Sequence, residues 1–489
     1  MKNAALRSLA VLFVLSIVLA AVPPSPSPAE NGPAAVADRA ARVENGLLPP
    51  IVVAGRPVPA MSLAARMAAL KIPGVSIAVI NDGAVEWAKG YGVAEAGTTT
   101  PVTPHTLFQA ASISKPVAAL AALRLVEQGK LALDEDVNLK LRSWKVPESD
   151  LTKSEKVTLR RLLSHTAGLT VSGFGGYRAG APVPTLVQVL DGEKPANSAP
   201  IRVNVMPGTI WRYSGGGFTV AQQLMIDVSG RPFPELLADL VLKPVGMEDS
   251  TYEQPLPEAR RGQAAGGHTS DGALLPGRFH TYPEMAAAGL WTTPTDLAKF
   301  LLEVRRALEG RSPVLSQALA REMTSAVKPG YGLGLSLSGT GPAASFGHGG
   351  SNEGFRCDMR IFPESGRGAV IMTNGDRGGF VAGEILRAVA REYDWPAFSP
   401  VEKKTVAVEP KALASLEGRY ELRPGRILEV KLEAGTLFII DGDEKVELFP
   451  ESETRFFETD EGHTLIFVKG PDGRPTHVMI DGQLKAPRR

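Results

Sequence analysis

Ser112 and Lys115 stand three residues apart in Ser112-Ile113-Ser114-Lys115. At that spacing both side chains lie on one face of a helix, whereas Ser114 points about 100° away from Lys115. Ser112 is therefore the candidate nucleophile. A serine hydroxyl is a weak nucleophile until a neighbouring base takes its proton, and a helix N-terminus adds positive potential near any oxyanion that forms. Lysine can be that base only when neutral. Its ordinary pKa near ~10.4 means that neutrality at pH 7 costs roughly 4–5 kcal/mol, so burial or a nearby cation must depress it. The stretch 117–128 is apolar on most faces and stops at Gly129, which predicts an interior helix able to supply that burial. The competing reading is a serine N-cap beside a solvated lysine. The motif alone does not decide, because a chain this long holds about one such match by chance. A second match, Ser325-Ala-Val-Lys328, runs into Pro329-Gly330, so it ends a helix and cannot set its serine over a dipole. Pro116 disfavours helical geometry at Lys115, and an irregular first turn is expected there.

The elements that must hold this pair in place are legible around it. Residues 74–80 read as a strand, Asn81-Asp82-Gly83 as a hairpin turn and 84–92 as the returning partner. Helical patterns follow at 158–163, 220–228, 234–242 and 295–307, and strand-like runs at 331–337, 355–362 and 368–372. Strands at both ends with helices between predict an α+β domain over 59–395, its antiparallel sheet closed by the two chain ends around a helical insertion. After Trp395-Pro396 comes a charged, Pro-containing linker, 396–410. Short alternating runs at 427–432, 436–440, 464–469 and 476–480 are then separated by Ala434-Gly435, Asp441-Gly442, Glu461-Gly462 and Asp472-Gly473. Residues 411–489 thus read as a small antiparallel meander or barrel.

A length of 489 residues suggests two or three domains, each able to bury a core. With 53 Lys+Arg against 52 Asp+Glu and no long basic run, no nucleic-acid partner is expected. The single cysteine, Cys357, can form neither an intramolecular disulfide nor a thiolate-rich zinc site, and reads as a small buried apolar residue. Lys2 and Arg7 precede an apolar run over 9–22 that leads into small residues, the pattern of a signal peptide over 1–29. The run is shorter than the ~20 residues that span a bilayer, and no cysteine follows to carry a lipid. Residues 30–58 are rich in Pro and Ala and read as a linker. The expectation is an exported protein, secreted or periplasmic, with no stable membrane span after cleavage.

Five segments, in order, carry a family resemblance: Phe108-Gln-Ala-Ala-Ser-Ile-Ser-Lys115, Leu162-Leu-Ser-His-Thr-Ala-Gly-Leu169, Tyr213-Ser-Gly215, Gly289-Leu-Trp-Thr-Thr-Pro-Thr-Asp-Leu297 and His348-Gly-Gly350. Together they resemble the serine β-lactamase and penicillin-recognising superfamily, in its class C-like branch, which also holds esterases, D-amino-acid peptidases and carboxypeptidases. The resemblance implies a β-lactamase/transpeptidase-like fold. It makes Tyr213 the base or proton relay facing the Ser–Lys pair, its phenolate favoured by the adjacent ammonium. It places His348, Gly349 and Gly350 on the strand lining the site, and implies an oxyanion hole from the N–H groups of Ser112 and Ser351.

Two departures bear on substrate. Gly215 stands where relatives have an asparagine that holds a substrate amide, and His348 where many have a lysine that binds a β-lactam carboxylate. With histidine's ordinary pKa near ~6.5, carboxylate-bearing substrates are expected to gain as pH falls toward 6. His165 reads as a turn-stabilising residue. No H-E-x-x-H pair and no G-x-S-x-G elbow occurs, so metal catalysis and an α/β-hydrolase are unsupported. The reading is an exported serine hydrolase without metal or cofactor, acting through an acyl-enzyme on small ester, amide or peptide substrates, of esterase or D-amino-acid peptidase type. The alternatives are a class C-like β-lactamase or D-Ala-D-Ala carboxypeptidase, and a non-turnover penicillin-binding or sensing protein. Residues 411–489 are candidates for building a homo-oligomer or for an interaction role.

Overall fold

The computed structural model describes residues 32–58, 61–442 and 444–489; the signal-peptide reading of 1–29 lies outside the described residues. Where 30–58 reads as a linker, the described part of the chain folds. Helix α1 spans Pro33–Glu44 and the short strand β1 spans Ile51–Val53. Pro33 sits in the first turn of α1, where its missing N–H costs no intrahelical bond, and the alanines behind it are the best helix formers. Composition that suggests a flexible tether therefore makes an ordered helix, with Ala40 and Val43 buried.

The chain continues through α2 (Leu63–Ala69), β2 (Gly74–Asn81) and β3 (Ala84–Gly92). The hairpin is as read: Asp82 and Gly83 both have positive φ, 53° and 73°, the pair of conformations a type I′ turn needs. Then come β4 (Phe108–Gln109), α3 (Ser114–Glu127), α4 (Leu159–Leu163), α5 (Gly215–Ser229), α6 (Met285–Ala288), β5 (Trp291–Thr292) and α7 (Pro294–Leu308). This part of the chain closes with β6 (Ser336–Ser338), β7 (Ser345–Asn352), β8 (Phe355–Phe362), β9 (Arg367–Thr373) and α8 (Gly378–Glu392).

Strands from both ends form one antiparallel six-stranded sheet, ordered β3-β2-β9-β8-β7-β6. The register Val75↔Thr373 to Ile80↔Gly368 joins the N- and C-terminal parts at its centre. Alternation along β2 then sorts two cores. Ala78 and Ile80 face the cluster containing α3 and α7, whereas Val75, Ile77 and Val79 face α1, α2 and α8. The expected strand over 331–337 is realised only at Ser336–Ser338. Gly334 takes φ +80°, and a Cβ there would stand 2.7 Å from the Ala119 Cβ, so the chain turns tightly against α3 instead of extending. The second Ser-x-x-Lys match ends a helix as read, the Ser325 hydroxyl donating to the Arg321 carbonyl at 2.6 Å.

The segment after α8 is also more than a tether, because β10 (Val401–Lys403) pairs in parallel with β1. Beyond it, eight consecutive antiparallel strands run from β11 (Gly418–Arg423) to β18 (Leu484–Pro487). A Tyr420↔Arg488 bridge brings the first strand back to the last, so the sheet is a nearly closed barrel. Tyr420, Leu428, Val430, Phe456 and Val478 fill its core. The barrel meets the rest of the chain away from α3. Arg66 of α2 pairs with Asp460 at 2.5 Å and with Glu384 of α8 at 2.8 Å, and Arg377 bonds Glu444 and Glu461.

Candidate active site

Strand β4 pairs with β5, Gln109 opposite Trp291, and the Ala110 N–H reaches the Leu290 carbonyl at 2.9 Å. The chain then turns abruptly. Ala111 is held at φ +50°, a left-handed conformation that costs an alanine about 1 kcal/mol or more. A 3₁₀ turn, Ala111–Ile113, leads into α3 and is the irregular start expected beside Pro116. Ser112 emerges half-exposed from this turn while Ser114 is fully buried. The Ser114 hydroxyl donates to the Ala111 carbonyl at 2.6 Å and accepts from the Leu290 N–H at 2.9 Å. Ser114 thus fastens the turn and leaves Ser112 as its partly exposed serine.

Lys115 is 2% exposed. Its Nζ lies 2.9 Å from Ser112 Oγ and 2.8 Å from the Ala287 carbonyl of α6, beneath the rings of Tyr213 at 4.9 Å and Phe218 at 5.9 Å. Burial pushes its pKa down to about 7. Held by a carbonyl, a neutral amine donates one N–H to Ala287 and turns its lone pair toward the Ser112 hydroxyl. Tyr213 is hydrogen-bonded to Ser112, yet burial pushes its phenol up to about 12, outweighing that bond. Burial thus works against the phenolate that the resemblance implies.

His348, Gly349, Gly350 and Ser351 lie on β7, which passes beside the Ser112 turn. A Cβ on Gly350 would stand 2.3 Å from the Ala110 carbonyl oxygen and 2.4 Å from Cys357 Sγ, so only glycine lets the strand come this close. Cys357 is buried below it, its thiol donating to the Ala110 carbonyl at 3.1 Å. Ser351 is exposed on the same strand. His348 overturns the expectation of a titrating histidine. It is buried, and desolvation with the nearby Lys115 pushes its pKa down to about 3. Burial thus works against the gain of charge toward pH 6 that a substrate carboxylate would need.

His165 does more than stabilise a turn. Its carbonyl accepts from the Arg212 N–H at 2.9 Å and its Nδ1 from the Ser214 N–H at 3.1 Å, while its ring lies 4.3 Å from that of Tyr213. The residues on both sides of Tyr213 are thereby held by one histidine. His165 Nε2 and His348 Nε2 each lie 3.1 Å from the same hydroxyl, Tyr331 Oη. Sequence reasoning missed Tyr331, which it placed only within a strand. It also missed the buried pair Asn352 and Gln109, bonded at 2.9 Å, which ties the end of β7 to β4. At Gly215 the space beside the backbone is taken by Phe174. A Cβ there would meet that ring at 3.0 Å, and the Gly215 N–H bonds the Ser172 carbonyl.

A family model described as Beta-lactamase matches residues 62–392. The chain is 27% identical over 380 residues to Penicillin-binding protein 4 of Amycolatopsis lactamdurans, covering 72% of this chain and 94% of that one. It is 29% identical over 337 residues to Esterase EstB of Burkholderia gladioli, covering 58% and 82%. Its fold is similar to that of the octameric penicillin-binding protein homologue from Pyrococcus abyssi, with a TM-score of 0.61 at 24% identity over 87% of this chain and 98% of the other. The D-amino acid amidase from Ochrobactrum anthropi SV3 superposes with a TM-score of 0.53 at 24% identity, over 67% and 94%.

Proposed function

The chain belongs to the beta-lactamase family and is a serine hydrolase, and from that premise we propose that it cleaves small esters, amides or peptides through an acyl-enzyme on Ser112. The observation that carries this is the buried Lys115 amine, 2.9 Å from Ser112 Oγ and held by a carbonyl rather than a carboxylate. Neutral Lys115 takes the hydroxyl proton as Oγ attacks the acyl carbon. The N–H groups of Ser112 and Ser351 receive the negative charge on the carbonyl oxygen. As the tetrahedral species collapses, Tyr213, bonded to Ser112, passes a proton to the leaving group and recovers one from Lys115. Water then attacks the acyl carbon, losing its proton to the same pair, which returns it to Ser112 Oγ as the acyl group leaves.

Esters are the preferred class over β-lactams. A substrate amide finds glycine and the Phe174 ring where a side-chain amide would hold it, and a substrate carboxylate meets a neutral His348 instead of a lysine. Leaving such a group without its partner costs on the order of 1–3 kcal/mol, or roughly one to two decades in kcat/KM. Export rests on the charged and then apolar start of the sequence, and assembly through residues 411–489 on the nearly closed barrel they form. A panel of short acyl esters, D-amino-acid amides, D-Ala-D-Ala peptides and a chromogenic cephalosporin, with Ser112→Ala as blank, tests the reading. Ester turnover in excess over protein supports it. Cephalosporin turnover exceeding that of every ester would restore a β-lactamase, and a stoichiometric burst without turnover would indicate a sensor.

A further inference from the structure

The three groups His165, Tyr331 and His348 are each almost fully buried and lie outside the proton transfers assigned above. Two fixed ends determine where their protons sit. The Ser214 N–H can only donate, so His165 Nδ1 accepts and the ring proton of His165 is on Nε2. The Gly349 carbonyl, 2.6 Å from His348 Nδ1, can only accept, so the ring proton of His348 is on Nδ1 and its Nε2 is a lone pair. One arrangement then satisfies the middle of the chain. His165 Nε2–H donates to Tyr331 Oη, and the Tyr331 hydroxyl donates to His348 Nε2, both at 3.1 Å. The hydrogen bonds run in a single direction from the Tyr213 turn to the backbone of β7. A charged His165 would set its Nδ1–H against the Ser214 N–H, a charged His348 would leave the Tyr331 O–H without an acceptor, and burial disfavours the charged form of both.

We propose that Tyr331 is a positioning residue for the Ser112 site, its hydroxyl locking together His165 and His348, whose opposite neutral tautomers the Ser214 N–H and the Gly349 carbonyl set, and so holding the turn that carries Tyr213 in register with the strand that carries Gly349–Ser351. Trp211, its ring 5.8 Å from that of Tyr331, lies over the chain from the solvent side. The inference rests on the reading of Ser112, Lys115 and Tyr213 as the reacting groups, but its geometry stands apart from the substrate.

Nitrogen-15 labelling of the histidines, with His165→Gln and His348→Gln used to assign the signals, reads the tautomers directly through two-bond proton–nitrogen correlations. The full-length protein should show His165 as the Nε2–H form and His348 as the Nδ1–H form throughout pH 6–8. Tyr331→Phe keeps the ring and removes the hydroxyl. It should leave both tautomers as their backbone partners set them, break the link between the two rings, and lower kcat for a short ester roughly 10- to 100-fold, with KM within about twofold. Finding both histidines in the same tautomer in the unsubstituted protein would overturn the inference, and that spectrum decides even if the variant does not fold. So would a Tyr331→Phe protein with unchanged kcat. If Ser112→Ala retains hydrolysis, the reading of the active site falls instead, and the tautomer pattern still tests the lock.

Discussion

Lys115 stands near the midpoint of its titration at neutral pH because an apolar helix and two aromatic rings surround it while one carbonyl holds its amine. The sign of the pH dependence follows. The neutral form is the active one, so kcat/KM for a short neutral ester should rise about tenfold per pH unit below a pKa of about 7 and level off above it. Tyr213, pushed up to about 12, stays protonated over the same range, and His348, down to about 3, contributes no step. The ratio of kcat/KM for a carboxylate-bearing ester to that for a neutral one should therefore be flat from pH 6 to 8; a rise toward pH 6 would show a charged His348. Lys115→Ala and Tyr213→Phe should each lower kcat by about 10²–10⁴, as removal of a general acid or base does. Stopped-flow ester hydrolysis measures both, and near-normal kcat in either variant would remove that residue from the mechanism.

Strand β7 can pass the Ser112 turn only because residue 350 lacks a side chain. Gly350→Ala places a methyl against the backbone oxygen of Ala110. Unlike the tip of a flexible side chain, that oxygen cannot move without shifting Ser112. The variant should lose about 1–3 kcal/mol in denaturant titration and about 10² in kcat/KM, whereas Gly349→Ala, with 3.6 Å to its nearest neighbour, should be much milder. Equal losses in the two would contradict the close-approach account. The same contrast explains what was legible beforehand. The β2–β3 hairpin and α3 announce themselves through local chemistry, an Asp-Gly turn and an apolar run, and the pair Ser112 and Lys115 through a helical spacing. Helix α1 was hidden because Pro and Ala suggest a tether until Pro is seen to occupy the first turn. The bonds of Tyr331 were hidden for a different reason: His165 lies 166 residues away in sequence, and no periodicity links positions that only the folded chain brings together.

At the scale of the whole molecule, β1 and β10 strap the catalytic part to the barrel, and ion pairs from α2 and α8 fasten the barrel on the sheet face opposite α3. Among the described residues no helix is long and apolar enough to cross a membrane. Arg66→Ala should remove the link to Asp460 and leave the buried Glu384 without its hydrogen-bonded cation. The expected cost is about 3 kcal/mol in calorimetric stability, with kcat for a short ester within about twofold. A chain ending at Pro410 keeps β10 and should likewise retain ester hydrolysis; a folded chain of that length without activity would make the barrel part of the site. The account stands or falls on the covalent step. Treatment of the full-length protein with an active-site serine phosphonate, followed by intact-mass measurement and peptide mapping, should give one adduct per chain, on Ser112, with hydrolysis lost in proportion. An adduct on Ser351 or Ser325, or undiminished hydrolysis once Ser112 is fully modified, would contradict it.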